Sequence, residues 1–189
     1  MIDENAFGLL ISYFNLEDDE YSGERDDFID RYAMFARLVT AQLAETPPGA
    51  AARAVDLGHA VYVEVLEDDE RRSDPVAWLR TLRAALGEHD FETAGILTYG
   101  SAWLDAETPR PHEETLGDVR LTRASLPSEP LRRALLAEAA THGDEEATAH
   151  GWGKGLYLDV DAVEALGRKP KNEPTVLACA SARFYRAGS

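Results

Sequence analysis

A mixed α+β (or α/β) fold, with about 5–6 strands in one sheet and helices packed on it, is predicted by the residue pattern. Three observations predict it. Short apolar runs rich in β-branched and aromatic residues alternate with longer segments whose apolar residues recur at helical spacing. Capping and stop residues punctuate the helical segments. The chain has 189 residues, is 44% hydrophobic and holds a single cysteine, Cys179, so its core must form without disulfides. At this length a chain buries about 70% of its surface on folding, enough for one domain without staples. The expected element order is β-α-β-α-β-β-α-β-α-β.

The elements follow in order. Phe7 to Phe14 (FGLLISYF) is a short apolar run that reads as a buried strand. An acidic loop, Asn15 to Gly23, follows it. Phe28, Tyr32, Phe35, Val39 and Leu43 then recur with helical period, Ile29 and Leu38 widening the stripe, until Pro47-Pro48-Gly49 stops the helix. Val61 to Leu66 is the clearest strand, with Val61, Val63 and Val65 on one face and Tyr62 and Glu64 on the other. Two helices on one face would bury only the valines. Cover on both faces would bury Tyr62 too and demand a partner for Glu64, such as an Arg.

Asp74-Pro75 opens a second helix as cap and first residue, with Trp78, Leu79, Leu82 and Leu86 inward and Gly87 as its stop. A strand spans Thr93 to Leu104, where Gly95 and Gly100 mark bends or close backbone approach. The proline-bearing loop 105–117 is the candidate sub-boundary within 1–189, read as one globular domain on a continuous sheet. Beyond it come a strand (Val119 to Ala124), a helix (from Ser128 or Glu129 to His142), a strand (Gly155 to Val160), a short helix (Ala162 to Leu166, capped by Asp161 and stopped by Gly167) and a last strand (Thr175 to Arg186).

Charge is distributed unevenly. The net charge is −16; residues 1–117 hold 25 Asp/Glu against 9 Arg, and residues 118–189 hold 10 acidic against 10 basic residues. A phosphate backbone is repelled by such a chain, so no nucleic-acid partner is expected. No apolar run is long enough for a membrane span. The acidic opening, Met1 to Asn5, lacks a basic stretch followed by a long apolar one, so no signal peptide is expected there. A reducing cytoplasm is the expected compartment. The preference for Arg (16) over Lys (3) is that of a high-GC bacterial genome.

Several motifs bear on chemistry. His150-Gly151-Trp152-Gly153-Lys154-Gly155 lets backbone approach a ligand, and His150, Trp152 and Lys154 form a candidate ligand loop. The glycines follow a helix and precede a strand, the reverse of a phosphate loop, so a simple turn explains them as well. No two of His59, His89, His112, His142 and His150 sit at zinc-binding helical spacing, and the acidic runs lack the alternation of a calcium loop. No cofactor and no metal are expected. Cys179 lies among small residues, where a thiol packs as a hydrophobe.

The acidic runs Glu17-Asp18-Asp19-Glu20 and Glu67-Asp68-Asp69-Glu70 are the candidate contacts for a basic protein partner. The first-ranked reading is therefore a non-enzymatic, intracellular protein-binding protein of the immunity or inhibitor type. A small enzyme assembled from His59, His112, His150, Lys154 and Cys179 is an alternative, and a structural subunit of a larger assembly is another. Oligomeric state and partner identity are not encoded in any motif.

Overall fold

The computed structural model describes residues 4–13, 25–49, 52–58, 60–66, 74–102, 112–116, 119–123, 128–143, 154–169, 175–177 and 182–187. In chain order these form β1 (Glu4–Tyr13), α1 (Arg25–Glu45), β2 (Ala52–Asp56), β3 (Ala60–Leu66), α2 (Pro75–Gly87), β4 (Thr93–Ala102), β5 (His112–Leu116), β6 (Val119–Arg123), α3 (Glu129–Gly143), β7 (Gly155–Asp159), α4 (Val160–Ala165), β8 (Thr175–Leu177) and β9 (Ala182–Ala187). Seven strands make one mixed sheet in the order β2-β3-β1-β4-β7-β9-β8, and β5 and β6 pair separately. The α+β class and the expected alternation of strands and helices hold.

β1 lies inside the sheet, antiparallel to β3 (Leu9 opposite Val63) and to β4 (Leu9 opposite Leu97), and β4 is the middle strand. β4 and β7 are parallel, Leu97 beside Leu158, so the sheet continues across the 105–117 segment. That parallel pairing requires a crossover, and α3 lies within it.

Helices cover both faces. Alternation in β1 and β3 sends Leu9, Ile11, Val61, Val63 and Val65 to one side, where they meet Phe35 and Val39 of α1, Leu79 and Leu82 of α2, and Val163 of α4. Val63 is fully buried there, in the same core as Phe35 and Leu82. Leu10, Tyr62, Ile96, Tyr157 and Phe184 point the other way, under Ala134 and Ala137 of α3. Small residues on α3 let its backbone come close. Gly8 is part of that approach: a Cβ there would lie 2.8 Å from Pro130 Cβ and 2.6 Å from the Tyr62 hydroxyl. Of the two arrangements the sequence allowed for Tyr62 and Glu64, this is the double-covered one. Both are buried.

Some local expectations are corrected. Ile29 is 51% exposed, so the buried stripe of α1 is narrower than the apolar pattern. The strand expected at Val119 to Ala124 is β6, which pairs with β5 in a hairpin outside the main sheet, whereas one continuous sheet was expected. β2 was not anticipated, since Ala-Arg-Ala-Val-Asp carries little strand signal. It is closed onto β3 by a turn in which Gly58 adopts φ 84° and donates its amide to Asp56 Oδ1 at 2.9 Å. The last strand is two, β8 and β9, paired antiparallel.

Asp74 caps α2 as expected, accepting from the amides of Val76 and Ala77. α2 ends at Gly87, yet the left-handed residue is Asp90 (φ 60°). Phe91 follows, and its amide returns to Leu86 O at 3.1 Å. Phe91 then packs edge-on to Tyr13 at 4.9 Å. α4 is stopped by Gly167 (φ 63°). Its cap, however, is Asp159 and not Asp161.

Candidate functional site

β4 and β7 lie side by side, and β4 runs on to Ala102 past the end of β7 at Asp159; beside that overhang, at the carboxyl end of β7, the chain opens a cleft of about 410 Å³. Crevices at strand carboxyl ends are the habitual ligand positions of sheets with parallel neighbours. Asn5 of β1, Tyr99, Gly100 and Ser101 of β4, Glu129 and Arg133 of α3, and Asp161, Glu164 and Ala165 of α4 line it.

Beneath the lining sits Asp159, the last residue of β7 and 1% exposed. Leu156, Tyr157 and Leu158 build a buried strand, and the chain then turns directly into α4. Asp159 makes that turn by capping α4: its Oδ1 accepts from the Ala162 amide at 2.6 Å. Oδ2 accepts from the Tyr99 amide at 3.3 Å and is ion-paired with Arg133 Nη1 at 2.9 Å. One carboxylate thus ties β4, β7, α3 and α4.

Arg133 arrives from the second turn of α3 and is 11% exposed. Nη1 also donates to Asp161 Oδ2, and Nη2 donates to the Tyr99 carbonyl. Glu129 Oε1, one helical turn earlier, stands 4.0 Å from Nη2. Arg133 Nε is buried and has no hydrogen-bond partner among the described residues. Gly100 makes room for this side chain, since a Cβ there would stand 2.8 Å from Arg133 Nη2 and 3.0 Å from Glu129 Oε2. The expected close backbone approach at Gly100 is therefore an approach to the guanidinium.

Burial pushes the Asp159 carboxyl up to about 6; Arg133 and the amides of Ala162 and Tyr99 pull it back, and the charge of Asp161 raises it. The cleft as a whole is acidic. Glu129 (49% exposed) and Asp161 (54% exposed) flank its one guanidinium, with Glu164 exposed beyond them. Such a surface attracts cations, and a guanidinium or ammonium group finds carboxylate acceptors around the mouth. Among the described residues no three His, Cys, Asp or Glu side chains converge to hold a metal ion.

A second polar cluster lies under the start of α3, on the same face of the sheet. Glu64 Oε2 accepts from the Tyr62 hydroxyl at 2.7 Å and from Ser128 Oγ at 2.5 Å. The expected Arg partner is replaced by two hydroxyls. Ser128 also receives the Leu131 amide at 3.4 Å, and Thr98 Oγ1 donates to the Pro130 carbonyl at 2.9 Å. With Glu64 and Ser128 both buried, this cluster seats α3 on the sheet.

Of the candidates read from the sequence, Lys154 is placed at the amino end of β7, exposed and ion-paired with Glu92. It lies a strand's length from the cleft at the carboxyl end. Glu17, Asp18, Asp19, Glu20, Glu67, Asp68, Asp69, Glu70, His59, His150, Trp152 and Cys179 lie outside the described residues. His112 falls in β5 and His142 in α3. Sequence reasoning missed Glu129, Arg133, Asp159 and Glu164 altogether, and took Asp161 only as a cap. The available signal was Leu156-Tyr157-Leu158-Asp159: an acid closing an apolar strand just before a helix.

No protein-family model matches the chain, and no curated protein does. Among solved structures it is similar to the crystal structure of the guanylyl cyclase Cya2, at 8% identity with a TM-score of 0.51, covering 98% of this chain and 93% of that one. The likeness is one of fold, over nearly the whole length of both. Among the described residues no helix is long and apolar enough to cross a membrane.

Proposed function

We propose that this chain is a non-enzymatic binding protein of the inhibitor type, which docks a basic protein partner and seats one of its cationic side chains in the cleft between α3 and α4. The observation that carries the reading is the cleft's charge. Its one guanidinium, Arg133, is already engaged by Asp159 and Asp161, while Glu129 and Glu164 open to solvent. An incoming Arg or Lys meets acceptors and no competing free cation within that lining. The chain's net charge of −16 adds long-range attraction and speeds encounter with a basic surface.

The enzymatic alternative draws on a carboxyl held near neutrality beside a cleft, a common mark of acid–base sites. Against it, Asp159 is almost wholly buried and reaches the cleft only behind Arg133, so a substrate would not touch it. The fold likeness to a guanylyl cyclase adds no weight, because fold does not carry chemistry.

The test uses tri-arginine peptide amide as probe, followed by calorimetry or chemical-shift perturbation at low salt. Binding should map to Glu129, Asp161 and Glu164, weaken with salt, and fall about tenfold or more in the E129Q/D161N/E164Q variant, as for the loss of charge-assisted contacts. Equal binding by the triple variant would remove the cleft from the interface.

A further inference from the structure

Arg133 has two sets of partners. The inner set is buried: Asp159 Oδ2 at 2.9 Å and the Tyr99 carbonyl. The outer set is half exposed: Asp161, and Glu129 at 4.0 Å. Among the described residues, the charged groups that take part in this arrangement are Arg133 and Glu129 from α3 and Asp161 and Glu164 from α4. β4 presents backbone at Tyr99, and β9 sets Phe184 opposite Asp159.

We infer that Asp159 and Arg133 form a proton-operated charge exchanger at the floor of the cleft. With Asp159 ionised, the inner pair is neutral and the carboxylates of Glu129, Asp161 and Glu164 are left to face outward. With Asp159 protonated, the guanidinium charge has, among the described residues, Asp161 and Glu129 to balance it, and the cleft loses one unit of negative charge. Burial of Asp159 sets the exchange within reach of mild acid, since its carboxyl is held up at about 6. Linkage makes the effect reciprocal: a cation entering the cleft favours the ionised form and drives a proton off Asp159. This consequence for binding rests on the docking reading above; the exchange itself does not.

The decisive experiment is a carbon-13 NMR titration of the Asp159 carboxyl in the intact chain, alone and in the D161N and E129Q variants. Both variants change exposed side chains. The wild-type midpoint should fall near 6. It should drop by about half a unit in D161N, because a neighbouring negative charge is gone and Arg133 is freed for the inner pair. The Arg133 guanidinium resonances should move with the same midpoint. A midpoint in the ordinary carboxylate range, or one unmoved by D161N with Arg133 silent, would overturn the exchanger. In a separate arm, tri-arginine peptide amide should bind more weakly at about pH 5 than at about pH 7, with the change at least about threefold smaller in D159N. A midpoint near 6 coupled to Arg133, together with no peptide binding at either pH, would keep the exchanger and reject the docking reading. Peptide binding whose pH dependence is the same in D159N would reject the exchanger's role in binding.

Discussion

Replacing Asp159 by Asn changes one charge in a buried site while keeping an oxygen for the Ala162 amide, and its effect on stability must depend on pH. The Asp159 carboxyl is held at about 6 in the folded chain against an ordinary 3.8. A group raised on folding binds its proton more tightly in the native state than in the unfolded one. Its contribution to stability is therefore fully present below about pH 4 and is lost as pH rises through about 6. The raised value corresponds to about 3 kcal/mol across that window, at 1.36 kcal/mol per unit. Because Asp159 is 1% exposed, solvent screening takes little of it.

The measurement is urea unfolding of wild type and D159N at several pH values from about 4 to 7, with the difference in unfolding free energy plotted against pH. Subtraction removes the other carboxylates, some of which run the opposite way. Asp56, for one, is held below its ordinary range by the Tyr32 hydroxyl and the Gly58 amide. Relative to D159N, the wild type should gain up to about 3 kcal/mol as pH falls through this range. A flat difference, or one favouring wild type at neutral pH and fading in acid, would refute the reasoning and mean that Arg133 outweighs burial.

Three further substitutions test the packing. G100A should cost about 1–3 kcal/mol by thermal or urea unfolding, because the new Cβ collides with the Arg133 guanidinium, and it should shift the Arg133 resonances. V63A should cost on the order of 1–3 kcal/mol from lost transfer energy and a residual cavity; no change in unfolding midpoint would contradict the burial of Val63 in the core. S128A leaves Glu64 with only the Tyr62 hydroxyl, and a loss of about 1–3 kcal/mol is expected, recovered in part by S128T. Equal stability of S128A and wild type would show that α3 is not seated through Glu64.

The elements most legible in the sequence were those where local signals and burial agree. Val61 to Leu66 alternates because one face meets α1 and α2, and Asp74-Pro75 starts α2 by cap chemistry that needs no tertiary context. Legibility failed where the partner is remote. β2 is held by Tyr32 reaching Asp56 and by pairing with β3, neither of which five residues of Ala-Arg-Ala-Val-Asp announce. Asp161 reads as a cap as well as Asp159 does. Only the turn geometry, with Asp159 extended at φ −70°, ψ 163°, decides between them.

The cleft was hidden for a different reason, which concerns charge. Residues 118–189 balance 10 acidic against 10 basic residues, so this part of the chain looks electrostatically idle, and attention goes to the acidic runs before it. Folding separates what the sequence averages. At the carboxyl end of β7 stand Asp159, Asp161, Glu164 and, from α3, Glu129. At the amino end stand Lys154 and Arg186, whose Nη2 donates to the Lys154 carbonyl at 3.3 Å, and Arg83 reaches the Thr93 carbonyl nearby at 3.1 Å. Lys154, being paired with Glu92, cannot neutralise the far end. A strand of five residues spans roughly 17 Å, beyond the Debye length of about 8 Å at physiological salt, so the two ends do not cancel in solution. A segment with no net charge thereby places an acidic cleft at the carboxyl end of β7 and Lys154 and Arg186 at its amino end, the layout that the proposed docking of a cationic side chain draws on.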